Sequence, residues 1–187
     1  MGNLENAGAG LKKMFIASVG AVVCAVLVII PVVNILAAIA AFVFAILSMV
    51  GLYGAGKDIE GCKKAFTLTI VNIVVSAVGS FLQSGFLGVI VSIVGYVLSF
   101  LVVYLVCTSV SEVMNQIGAA DVAQKGESVW KINAGCYGVL IVVAILAKIP
   151  VLSVIAGVAA VIVAIISLVA SVLYMIFLNK SSKALNA

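Results

Sequence analysis

The chain contains no histidine and no arginine, and each absence closes off a class of chemistry. Histidine is the commonest metal ligand and the commonest general base near neutral pH. Without arginine, ten lysines are the whole basic set, and they stand beside apolar segments, where they read as orientation signals. No nucleic-acid surface is expected from them. Acids are equally scarce: Glu5, Asp58, Glu60, Glu112, Asp121 and Glu127 are all six, and each lies outside the long apolar stretches. Proton- or cation-coupled transport usually rests on an ionisable group inside the membrane, so that route is disfavoured. No acid or serine–base pair within the apolar stretches could serve a protease or a lipid-modifying enzyme. The chain therefore reads as non-enzymatic, with no cofactor and no metal.

The four cysteines, Cys24, Cys62, Cys107 and Cys136, form no CxxC pair and fall inside or at the ends of apolar segments. Neither a disulfide framework nor a zinc site is expected, and they read as small packing residues. Residues 51–57 have the spacing GxxxxGK, but Asp58 stands where a phosphate-binding loop needs Ser or Thr, and an apolar helix precedes it rather than a strand. The segment reads as a glycine-terminated helix. The first apolar run follows Lys12 and Lys13 as a secretory leader would, yet it continues without a polar break and is expected to remain as a helix. The start also misses the myristoylation pattern, because Asn6 is neither Ser nor Thr.

What the chain does have is apolar length. Of 187 residues, 66% are apolar and 9% charged, whereas soluble domains are about half apolar and about a quarter charged. Charged residues divide it into three blocks, 14–55, 65–107 and 132–178. Each is about twice the roughly twenty residues that cross 30 Å of hydrocarbon, so each must fold back on itself. Turn chemistry stands mid-block at Pro31, at Gln83-Ser84-Gly85 and at Pro150, with Asn34 and Ser153 available as helix caps. The expected fold is an all-α integral membrane protein, a single transmembrane domain over 1–187 with helices near 14–30, 34–55, 66–82, 85–107, 132–148 and 152–178.

The blocks are related to one another. A shift of 119 residues lays the first on the third without a gap, superimposing Pro31 on Pro150 and Ser48 on Ser167. A weaker shift of 51 takes Lys13 to Lys64, Ser48 to Ser99 and Tyr53 to Tyr104. The spacing thus predicts three tandem hairpins, 11–56, 64–107 and 130–178, as parallel repeats compatible with a pseudo-threefold bundle. Nine lysines (Lys12, Lys13, Lys57, Lys63, Lys64, Lys125, Lys131, Lys180 and Lys183) then share one side and only Lys148 lies on the other. The positive-inside rule makes the lysine side and both termini cytoplasmic in a plasma membrane, with Lys148 an outer anchor.

The connector 108–131 carries Val110, Val113, Met114 and Ile117 at helical spacing, with Ser111, Glu112, Asn115 and Gln116 opposite. It is expected to extend the fourth helix as a cytoplasmic amphipathic arm. Such an arm would lie on the bilayer, dock a protein partner, or cover the bundle's own end.

Candidate binding residues are Ser48, Ser99, Ser167 and Asn72. The serines end stripes of small residues at seven-residue spacing on the even helices (Asn34, Ala41, Ser48; Gly85, Ser92, Ser99; Ser153, Ala160, Ser167), a pattern that predicts inward packing. Asn72 sits inside the third apolar helix and should bond across helices. Three functions compete: a scaffold or membrane-assembly component, self-associating or holding a partner; a small pore lined by hydroxyls and glycines; and a reticulon-like set of wedge hairpins. A pore needs a continuous polar path, whereas a scaffold should be packed shut.

Overall fold

The computed structural model describes residues 4–27, 30, 33–81, 86–147, 149 and 152–186. Among the described residues the chain is wholly helical: α1 Glu5–Leu27, α2 Asn34–Ala55, α3 Glu60–Phe81, α4 Phe86–Gln116, α5 Ala120–Leu146 and α6 Ser153–Leu185. All six are long and apolar enough to cross a membrane. The shortest, α2 and α3, have 22 residues each, or about 33 Å of rise. An apolar run of this length can satisfy its own backbone only as a helix. Hydroxyls on these helices follow the same logic by donating to carbonyls one turn back, as Thr69 does to Ala65 (2.9 Å) and Thr108 to Tyr104 (2.7 Å).

Helix α2 keeps its expected bounds, and the other five depart from theirs mainly at the lysine-rich end. There α1, α3 and α5 begin before their apolar blocks, while α4 and α6 run past theirs. The cause is packing, because these extensions carry part of the buried core. Leu11, Val106, Val110, Met114, Phe177 and Leu178 are fully buried together with Ala7, Ala55, Cys62 and Ala65. Residues 108–131 accordingly form no free arm. They are the end of α4 and the start of α5, joined through Gly118, whose φ of 81° favours glycine. Val110, Met114, Val122 and Ala123 turn into the core of the bundle itself.

The helices form a closed ring in chain order, with α1 also meeting α6 and a slight contact between α4 and α6. The expectation of an inner layer of even helices needs correction, since among the described residues α2 touches neither α4 nor α6. All six helices contribute to the core at the lysine-rich end, so no subset of three monopolises the axis. Away from that end the surface is apolar and open, with Phe81 88% and Ile35 75% exposed.

Two finer expectations also change. Asn34 and Ser153 are the first residues of α2 and α6 rather than caps; the cap positions fall to Val33 and Leu152, which make no side-chain cap. The turn expectations at Pro31, Leu82 to Gly85, Lys148 and Pro150 lie outside the described residues. The GxxxxGK segment is the end of α2, where the Gly56 amide donates to Leu52.

Candidate functional site

On α3, the residues Cys62, Ala65, Thr69, Asn72, Ser76 and Gly79 follow alternating steps of three and four. On α4, Gly88, Ser92, Gly95, Ser99, Val102 and Val106 do the same. This spacing keeps one stripe on each helix facing the other. At the lysine-rich end the stripe is apolar and closed, with Cys62, Ala65 and Val106 fully buried. Toward the other end it becomes hydroxyls, an amide and glycines, and a cavity of about 650 Å³ opens between the two helices, with Ala144 of α5 at its edge.

Several of the polar groups are engaged with one another or with backbone. Asn72 Nδ2 donates to Ser99 Oγ at 3.0 Å. Ser92 donates to the Gly88 carbonyl at 2.8 Å and Ser80 to the Ala77 carbonyl at 2.6 Å. Asn72 Oδ1 is buried and has no partner. A buried amide oxygen left unmatched costs about 1–3 kcal/mol, so this atom calls for a donor.

Below the cavity, aromatic residues fasten α4 to α5. Phe100 lies 6.4 Å from Tyr137, and Tyr104 meets Trp130 edge to face at 5.3 Å.

Of the four residues expected inside the bundle, the structure brings together Asn72 and Ser99 alone. Ser48 on α2 and Ser167 on α6 are half-buried and line no part of this cavity. A ring of three serines is not built, because α2 is held against α1 and α3, away from the other even helices. Lys148 lies outside the described residues. Sequence reasoning missed Ser76, Ser80 and Tyr96, which also line the cavity. The signal was available: Asn72, Ser76 and Gly79 continue the line of Cys62 and Ala65 along α3.

A second, shallower groove at the lysine-rich end is lined by Thr108, Glu112, Asn115, Gln116, Glu127 and Trp130. Much of its polarity is internally engaged. Ser111 donates to the Ala123 carbonyl at 3.0 Å, and Lys131 pairs with Glu127 at 3.2 Å while lying over the Trp130 ring. Among the described residues no cluster of His, Cys, Asp or Glu could hold a metal ion.

Fold and cavity together define an all-helical protein with six potential membrane-crossing helices and a polar recess between two of them. The chain matches no protein-family model, no curated protein and no solved structure.

Proposed function

We propose that the chain is a multi-pass plasma-membrane protein of three tandem helical hairpins, with its lysine-rich end and both termini in the cytoplasm, acting without enzymatic chemistry as an interaction or assembly component. The observation that carries this reading is the seal at the lysine-rich end, where Leu11, Val106, Val110, Met114, Phe177 and Leu178 are fully buried against one another. An apolar plug of this kind dewets any passage through the bundle. Glu112, Asn115 and Gln116 stay exposed on the polar side of α4 and offer a surface for a protein partner or a second copy. The wedge alternative is weakened by α2, whose 22 residues carry no charge and rise about 33 Å against the roughly 30 Å of hydrocarbon.

Three measurements test the reading. Proteoliposomes of the purified chain should release small neutral solutes and ions no faster than empty liposomes, and release well above that background would overturn it. Photo-crosslinkers at Glu112 and Gln116 should yield a defined adduct, either a dimer or one partner. Lys148→Cys, in a background without native cysteines, should be labelled from outside the cell and Lys57→Cys should not; protection of both would favour the wedge.

One observation favours a second reading, a gated facilitator: the polar cavity on the α3–α4 seam. In that case Met114→Ala and Phe177→Ala, which thin the seal, should raise flux.

A further inference from the structure

The α3–α4 cavity has the makings of a ligand site, and its hydrogen-bond inventory specifies the ligand. Three donors on its wall are engaged inside the protein: the Asn72 amide on Ser99, the Ser92 hydroxyl on Gly88 and the Ser80 hydroxyl on Ala77. The hydroxyls of Ser76 and Tyr96 line it as well and can donate or accept, the lone pairs of Ser80 and Ser92 add acceptors, and the buried, unpartnered Asn72 Oδ1 lies behind this wall. An occupant must therefore bring both donors and acceptors. A cation would bring donors alone, and all six acids of the chain lie outside its apolar blocks, so nothing on this seam would neutralise a buried charge. A neutral hydroxyl-rich group remains. The volume of about 650 Å³ lies in the range of small-molecule pockets and exceeds what a single water or a urea-sized solute fills.

We propose that this cavity binds a neutral polyhydroxylated group of sugar size, offered by a free sugar or by the glycosyl headgroup of a lipid. Both sources present the same hydroxyl donors. Ser80 and Gly88 stand at the ends of α3 and α4 away from the lysine-rich side, so in the six-span arrangement the mouth of the cavity is level with lipid headgroups, while Asn72 and Ser99 form its deeper wall. The inference rests on the membrane-spanning reading but not on the scaffold reading. Gly95 borders the site with open space: a Cβ there would meet only Asn72 Oδ1, at 3.7 Å. A larger side chain at 95 would therefore enter the cavity without touching backbone.

The test places a thiol in the cavity as Ser92→Cys, in the full chain without native cysteines, purified in an amine-oxide detergent and moved into phosphatidylcholine nanodiscs. The rate of maleimide alkylation is followed with monoglucosyl-diacylglycerol, with phosphatidylglycerol, or with free glucose. Protection of about tenfold, the equivalent of one or two net hydrogen bonds, is expected from the glucosyl lipid or from glucose. Protection by the lipid alone identifies a headgroup, and protection by glucose alone identifies a free sugar. Gly95→Val should slow alkylation outright and make it insensitive to both probes, and Asn72→Leu should abolish protection; if the latter variant does not fold, the former decides. Equal rates under all three conditions, a cavity holding water only, overturn the proposal, as does a thiol that never reacts. Resistance of the chain to carbonate extraction separates this failure from failure of the membrane reading.

Discussion

The carboxylate of Asp58 accepts a 2.7 Å hydrogen bond from the backbone amide of Ala7, and its other oxygen accepts one from the Asn6 side chain at 3.2 Å. The loop after α2 thereby caps the first turn of α1 from more than fifty residues away. A helix N-terminus leaves amides without intrahelical partners and carries partial positive charge, so a carboxylate suits it on both counts. Asp58→Ala should lower stability by about 1 kcal/mol in thermal unfolding in detergent, and Asp58→Asn by less, because a hydrogen bond survives while the charge does not. Equal stability of all three proteins would show that the cap is not formed.

Gly10 and Gly51 let α1 and α2 touch at the backbone. A Cβ on Gly10 would run into the Gly51 carbonyl and the Ala55 nitrogen, and one on Gly51 would stand 2.7 Å from the Gly10 carbonyl. Gly10→Ala and Gly51→Ala should each cost about 1–3 kcal/mol, since backbone cannot step aside as a side chain can. Gly54→Ala, with its nearest neighbour at 3.6 Å, should be nearly neutral. Unfolding midpoints of the three variants provide the comparison.

Two phenylalanines mark the difference between core and surface. Phe177 is fully buried beside Gly126 and Phe81 is 88% exposed. Phe177→Ala should cost about 3–5 kcal/mol and Phe81→Ala less than about 0.5 kcal/mol in the same detergent. A similar loss at both positions would contradict the location of the core.

Asn72 and Ser99 should be energetically coupled. A double-mutant cycle with Asn72→Leu and Ser99→Ala is expected to give about 0.6 kcal/mol, the usual size for hydrogen bonds between membrane helices. Ser48→Ala and Ser167→Ala, outside that pair, should each change stability by less than about 0.5 kcal/mol. Coupling of Ser48 or Ser167 to Asn72 would revive the serine ring.

The amino-acid sequence alone determined that the described chain is helical, because long apolar runs in hydrocarbon have one way to satisfy their backbone, but not where the helices end on the lysine-rich side, since Lys12, Lys13, Lys63, Lys64, Lys125, Lys131, Lys180 and Lys183 all lie within helices. It also carried the seam of the cavity, since the alternation of Cys62, Ala65, Thr69, Asn72 and Ser76 depends only on helical period. It did not determine which faces meet. Ser48, Ser99 and Ser167 share one register, yet only Ser99 meets Asn72, because neighbour choice depends on close approaches such as Gly10 against Gly51 that draw α2 onto α1. The apolar side of 108–117 was equally legible, but a pattern of Val110 and Met114 is the same whether a bilayer, a partner or the protein's own core covers it. Only the packing of α4 and α5 against Phe177 and Leu178 decided that the core does, since burial is a property of assembled helices and not of any one of them.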